Sequence, residues 1–458
     1  MKKLIILDNL YYLIPKIIIL SLFLLFVSNK SAYSLDIYSY MNQADKPLSL
    51  GKPGWVYENP RLRLSYEVNE MYKKWLDNNK VTDFEGTGFN ASLQINPAKH
   101  FAFGFSKKFL NHQSWINNEK KDMPVFNFDS KNYYNEVFVK LGSERIKLMY
   151  GHIETKDYFD GYYELHEDII NALGSEPEIK FNTDGTSDYV KAYAEHKKFK
   201  FAYSYELNKY KHKISADTDI MGLCINHNRK VRVRDYELSY ELNKKWFPYI
   251  RYSDYRDTGF GNDYRDNRVL IGRNNSHFKF VTRTIGAVYE YKHGWYYADY
   301  SKVFADMSAD EFFNMVNIDV LFYFSTRFVD YRISFKPERG HMGRIGFKRH
   351  HRNINYGMQY SLAKLHGNTH KFGEKTKFTG NTTDDKYVSR ALYLHRMNIA
   401  ASRPDNFGSW NIGLNLLVPY FKTYRPDVAE TDGEPKNAKP KKKYRGGWQI
   451  ILMREIKL

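Results

Sequence analysis

The chain of 458 residues contains one cysteine, Cys224, so it can form no internal disulfide. That excludes a small scaffold held by cross-links, and equally a zinc site built on cysteine pairs. Mean hydropathy is −0.63, too low for a bundle of membrane helices. Helical heptads, Pro-rich linkers and repeats of fixed period are absent, which points to one domain. Catalytic signatures are missing too: there is no G-x-S-x-G elbow, no P-loop and no dinucleotide fingerprint.

What the chain has in quantity is aromatic residues and positive charge. It carries 39 Tyr and 31 Phe, and its formal net charge is +18. Disordered chains lack aromatics, so this one folds. Tyrosine joins an apolar body to a polar tip and favours boundaries between water and an apolar phase.

The first thirty-four residues differ from the rest. Lys2 and Lys3 precede the apolar run IIILSLFLLFV (17–27), and Ala32-Tyr33-Ser34 supplies small residues for cleavage. This reads as a secretory signal peptide over 1–34, followed by a polar leader over 35–60. A membrane anchor is the alternative, but the run falls short of the ~18–20 residues of a spanning helix.

From Arg61 to Leu458 the sequence alternates with a period of two, the mark of strands with unlike faces. RLRLSYEVN (61–69) sets Leu62, Leu64, Tyr66 and Val68 against Arg61, Arg63, Ser65 and Glu67. FKFAYSYELN (199–208), RDYELSYEL (234–242), VLFYFSTRFVDYRISFK (320–336) and GWQIILMREIKL (447–458) repeat the design. Parity shifts near Val233–Asp235, where a β-bulge is expected. Many segments reach about ten residues, longer than ordinary soluble strands and enough to span a bilayer as tilted strands. Tight turns such as Lys197-Lys198 alternate with long polar stretches, 110–132, 156–187, 367–386 and 422–445, read as loops. A short helix is expected within 157–173. The expected fold is all-β: a closed antiparallel transmembrane β-barrel over 61–458, of eighteen strands with sixteen as the alternative, with short periplasmic turns and long extracellular loops. Closure satisfies every backbone group in lipid without great hydrophobicity. The competing architecture is a secreted β-sandwich, propeller or solenoid whose aromatic faces meet in a core.

This pattern resembles the Gram-negative outer-membrane β-barrels of the porin and exporter type, and RLRLSYEV is similar to the first strand of alginate-export-type barrels. The resemblance implies an outer-membrane location, assembly by the barrel-assembly machinery, and contact with outer-membrane lipid. Such barrels usually end in an aromatic residue; here the last residue is Leu458, and Arg454 interrupts the outward row.

Alternation puts Arg63, Arg145, Lys147, Arg332, Lys336, Arg344, Lys348, Arg390 and Arg396 on the polar face, which in a barrel is the lumen. Cations around a wet pore attract anions, and arginine adds forked hydrogen bonds to carboxylate or phosphate. The expected function is a channel passing small anionic solutes or an acidic polymer such as a polysaccharide. Glu67, Glu206, Glu237, Glu241, Asp299 and Asp319 share that face, so pairing of the cations is the competing account.

No cofactor, metal or catalytic residue is expected. His366 and His370 sit in HGNTH, read as a solvated loop, and Asp384-Asp385 in NTTDDK reads as a turn. His166-Glu167-Asp168 lacks a second histidine. The basic stretch 433–447 reads as a solvated loop. Export and the placement of aromatics along strands speak against a nucleic-acid partner. Two other functions fit: a surface adhesin anchored by its barrel, and an outer-membrane hydrolase.

Overall fold

The computed structural model describes residues 61–74, 80–118, 123–143, 145–163, 178–217, 222–265, 269–319, 323–377, 380–424, 441–444 and 447–457. The signal-peptide and leader regions, 1–34 and 35–60, lie outside the described residues.

Seventeen strands follow one another in chain order. The first nine are β1 (Arg61–Lys74), β2 (Lys80–Ala98), β3 (Phe101–Asn118), β4 (Met123–Gly142), β5 (Ile146–Tyr163), β6 (Glu178–His196), β7 (Phe199–Asp217), β8 (Gly222–Tyr240) and β9 (Trp246–Arg265). They continue with β10 (Val269–Tyr291), β11 (Gly294–Asp319), β12 (Tyr323–His351), β13 (Ile354–Lys377), β14 (Gly380–Asp405), β15 (Gly408–Tyr424), β16 (Lys441–Tyr444) and β17 (Gly447–Lys457). All belong to one antiparallel sheet in which each strand from β1 to β15 pairs with its sequence neighbours. β1 pairs with β17 as well as with β2, and β17 pairs with β15.

β16 and β17 pair with successive parts of β15 in one register: Tyr420 faces Tyr444, and Leu417 faces Gly447. They are two pieces of one strand.

The strands are longer than expected: the described parts of all four polar stretches read as loops are strand, although most of 422–445 lies outside the described residues. β5 runs to Tyr163 and β6 resumes at Glu178, so only the middle of 156–187 remains between them. Likewise β13 reaches Lys377 and β14 starts at Gly380, which places His366, His370, Asp384 and Asp385 in paired strand. The physical reason is that a ladder is held by backbone hydrogen bonds. Where both faces are wet, pairing needs no hydrophobic alternation, so periodicity cannot reveal it. Of the helix expected over 157–173, residues 157–163 are strand, and the rest lie outside the described residues.

No bulge interrupts β8, because its register with β7 and β9 runs unbroken through Val233–Asp235. Parity therefore holds, with Val231 buried alongside Arg229, Glu237 and Ser239, and Arg232 and Arg234 on the opposite side. Bulges occur elsewhere, at Leu270/Gly272 and Pro337/Arg339 among others.

The two faces differ consistently. On β7, Phe199, Phe201, Tyr203, Tyr205 and Leu207 lie on the face whose large apolar residues are exposed, Phe199 at 51%. Ala202, Asn208 and His212 point the other way and are buried. The exposed row continues across neighbours as Phe201–Leu238–Ile250–Ile285–Tyr300.

One end of the sheet is made of tight turns, and these are basic. Lys99-His100, Lys197-Lys198, Lys292-His293 and Arg352-Asn353 are two-residue connections with their cations exposed. Lys197 and Arg352 take positive φ, 53° and 54°, where glycine or asparagine would be unstrained. Exposed aromatic pairs lie immediately inside this edge, with ring centroids 4.9 Å apart for Phe199–Tyr240 and 5.0 Å for Trp246–Tyr289. At the same end Arg454 lies 4.9 Å from the Trp410 ring and donates to Asp405, 2.5 Å from Oδ2. That resolves the apparent break in the last strand: the stem covers an exposed indole while the head reaches a carboxylate at the turn. The Asp405 carboxyl, at the turn, is held below the usual carboxylate range chiefly by this bond.

Candidate functional site: the buried face of the sheet

The buried face carries most of the polar chemistry, and its charges are matched across strands. Arg344 on β12 donates from Nε and Nη2 to Asp299 on β11, at 2.9 and 2.6 Å. The Asp299 side chain has no exposed surface, and Tyr249 on β9 donates its hydroxyl to the same carboxylate at 2.5 Å. Arg251 donates from Nε to Glu237 at 2.9 Å, with Glu237 only 2% exposed. Arg229 pairs with Asp257, from Nε to Oδ2 at 2.7 Å, and its terminal nitrogen reaches the same carboxylate. Each pair joins neighbouring strands, so register brings partners distant in sequence together. Between them Thr284 and Ser301 share a hydroxyl hydrogen bond of 2.7 Å.

A second set of cations on this face lies over aromatic rings. Lys147 is 4.9 Å from the Tyr193 ring, Lys191 5.2 Å from Tyr189, and Lys200 5.1 Å from Phe247. Lys140 lies 4.7 Å from the Phe138 ring and donates to Gln94 at 2.6 Å. These lysines occupy β4 to β7, whereas Asp235, Glu237 and Asp299 stand on β8 and β11. Carboxylates share the strands of the lysines as well: Glu136 accepts from Tyr189, Glu195 from Tyr193 and Glu206 from Ser187, Asp157 is buried on β5, and Glu195 faces Lys200 in register.

Large aromatics fit on this face because glycines stand beside them. Gly151 faces Tyr189 in register, Gly185 faces Tyr210, and Gly286 faces Tyr249. A Cβ added at Gly286 would come within 2.7 Å of the Tyr249 ring carbon Cζ. Each ring thus lies over its neighbour's glycine, flat along the wall instead of standing off it. Phe247, Tyr249, Val288, Trp295 and Tyr297 form a buried cluster near the tight-turn end.

Of the cations expected on the polar face, Lys147 is buried there, and Arg344 is there but bound to Asp299. Arg396 also lies on that side and donates to Asn398 at 3.2 Å. Lys348, two residues beyond Gly346, shares the parity of Arg344. Arg145 sits exposed in the turn between β4 and β5. Arg63, Arg332, Lys336 and Arg390 fall in β1, β12 and β14, their side chains outside those described. Sequence reasoning missed Lys140, Lys191, Lys200, Arg229 and Arg251. Lys200 was legible as the polar residue between Phe199 and Phe201; Arg229 was hidden by the parity assigned to VRVR.

No family model matches this sequence, and no curated protein matches it. Solved structures of outer-membrane proteins do. CdiB from Acinetobacter baumannii has 10% identity and a TM-score of 0.36, over 87% of this chain and 60% of CdiB, so the chain spans less than two thirds of that protein. The toluene transporter TodX from P. putida has 7% identity and a TM-score of 0.37, over 88% of this chain and 90% of TodX. The translocator domain of the autotransporter NalP from Neisseria meningitidis has 10% identity and a TM-score of 0.32, over 60% of this chain and 91% of that domain. Likeness of this size bears on neither substrate nor activity.

Proposed function

We propose that the chain forms a closed antiparallel barrel of sixteen strands in the outer membrane, with β16 and β17 as one strand, and that it conducts small anionic solutes. The β1–β17 pairing supports closure, and an even count suits a single-chain barrel. The observation that carries the reading is the exposed run Phe199–Leu207. It spans nine residues between the Lys197-Lys198 turn and Lys209; β8 matches its first three outward positions with Tyr240, Leu238 and Tyr236, and sets Arg234 and Arg232 opposite Tyr205 and Leu207. Nine to eleven tilted residues cross a hydrocarbon core. Exposed aromatics border the run at one end, as interfacial belts do. With that face against lipid, the opposite face encloses the lumen, and tight turns lie on the periplasmic side.

In the lumen Lys140 and Lys191 stand at one level beside Lys147, and this local cluster supplies attraction for anions, with Glu136, Asp157 and Glu206 on the same strands farther from the tight turns. Paired arginines hold the wall and contribute little net charge. Selectivity is therefore a property of Lys140, Lys147, Lys191 and Lys200 more than of Arg344. Reconstitution in a planar bilayer tests the reading: stable conductance favouring chloride over potassium is expected, and a barrel that inserts without current would remove it. Changing Lys147 and Lys191 to glutamate should reverse the preference.

One observation favours a second reading, a surface contact protein anchored by its barrel. Strands β10 to β14 are 23 to 29 residues long, more than twice what a bilayer requires. Their far ends stand as paired hairpins outside the apolar band.

A further inference from the structure

Three adjacent strands place a cation at one level on the exposed face. Arg232 of β8 faces Arg256 of β9, which faces Lys279 of β10. One level away, Lys209 of β7 faces Lys230 of β8, and Arg234 lies on the other side of Arg232. Within this patch the facing carboxylate is Asp254, held by Arg256 at 3.0 Å. Asp306 of β11 closes the row beyond Lys279. Like charges directly opposite one another across strands repel, and a sheet built for stability alone would not align them. The Nε of Arg232 is buried and has no hydrogen-bond partner among the described residues.

The place of the patch matters as much as its charge. It lies just past Tyr203, Tyr236 and Tyr252, whose rings form a contiguous exposed row at 5.1 and 6.1 Å between centroids. Arg234 itself lies 5.7 Å from the Tyr205 ring. The cations thus begin beside the last outward residues of the apolar run, Arg234 opposite Tyr205 and Arg232 opposite Leu207, at the end away from the tight turns. Strands stand about 4.8 Å apart, so the row from Arg232 to Lys279 covers about 10 Å, wider than one phosphate.

We infer that this patch on the outer wall binds a lipid headgroup bearing two phosphates, in the leaflet opposite the tight turns. Arg232 offers guanidinium donors to phosphate oxygens, while Arg256, whose Nε and Nη2 are engaged by Asp254, joins Lys279, Lys209 and Lys230 in supplying charge around them. The acyl chains would lie along the Tyr203–Leu207 side of β7 and its neighbours. The inference rests on the membrane-spanning reading above but not on conduction.

The test uses the full mature chain folded in detergent, with native mass spectrometry counting retained lipid. Diphosphoryl lipid A, its monophosphoryl form and phosphatidylcholine are the probes, with inorganic pyrophosphate as a separate arm. The diphosphoryl lipid should bind at least tenfold more tightly than the monophosphoryl form. The triple variant R232Q/R256Q/K279Q should abolish that difference while leaving phosphatidylcholine retention unchanged. Equal retention of the two lipid A forms would overturn the proposal, as would an unaltered preference in the variant. Displacement of the lipid by millimolar pyrophosphate without any dependence on acyl chains would make the site one for free anions and likewise overturn it. Should the triple variant fail to fold, K209Q/K230Q and the charge-conserving R232K/R256K replace it: the first should weaken retention, and the second should keep most of it. A chain that shows no heat-modifiable migration would instead defeat the barrel reading, which keeps the two failures distinct.

Discussion

The two faces of the sheet carry similar cations in opposite arrangements. On the buried face Arg229, Arg251 and Arg344 each meet a carboxylate on the next strand. On the exposed face Arg232, Arg256 and Lys279 stand side by side, with Asp254 on Arg256 and Asp306 opposite Lys279 as the carboxylates beside the row. Burial explains the first pattern: an ion removed from water needs its counter-ion and hydrogen bonds built into the chain. The second pattern makes sense where the counter-ion comes from outside. A net charge of +18 is therefore no guide to the lumen by itself, since a large share of the cations lies on the outer wall and in the turns.

The sharpest way to break the contrast is to remove a partner inside. Asp299→Ala would leave Arg344 and the Tyr249 hydroxyl without their acceptor, with an expected loss of about 3–5 kcal/mol. Denaturant unfolding of the refolded chain measures it, and a loss below 1 kcal/mol would mean that the pair is open to water. Next in size is Gly286→Leu, which places a side chain where the Tyr249 ring lies. Overpacking of that sort costs about 1–3 kcal/mol, and Gly286→Ala should cost less. The same measurement on Lys230→Gln should move stability by no more than about 0.5 kcal/mol, as for exposed charges generally. A large loss there would show that the outer cations are structural. The smallest net effect is expected at Lys197: its left-handed backbone costs about 1 kcal/mol against glycine, but the greater freedom that glycine loses on folding offsets most of that, so Lys197→Gly should stabilise by only about 0.2 kcal/mol.

The alternating sequence was enough to find the sheet, the exposed aromatic rows and the tight basic turns. Phe199–Leu207 is the clearest example, because one face meets an apolar phase and the other does not. Two things were not legible. Residues 178–184 alternate with their apolar members inward: Ile179 and Phe181 are buried, as is Thr183, and Glu178, Lys180, Asn182 and Asp184 are exposed, the reverse of a lipid-facing strand, so the stretch reads as a polar loop to anyone expecting apolar residues outward. The parity of VRVR was the other. A reader expecting apolar residues outward introduces a bulge there, whereas the chain keeps its register and turns Arg232 and Arg234 outward. Partners such as Asp299 and Arg344, 45 residues apart, depend on a register that a single sequence does not reveal.

The central claim concerns which phase each face meets, and site-directed spin labelling on β7 reads it directly. With Cys224 replaced by serine, single cysteines at 201, 203, 205 and 202, 204, 206 would each carry a nitroxide in the reconstituted protein. Labels at 201, 203 and 205 should collide with oxygen dissolved in lipid, and those at 202, 204 and 206 with a water-soluble nickel chelate. A set of labels at 201, 203 and 205 shielded from both reagents would contradict the account, for those rings would then be packed within a protein core.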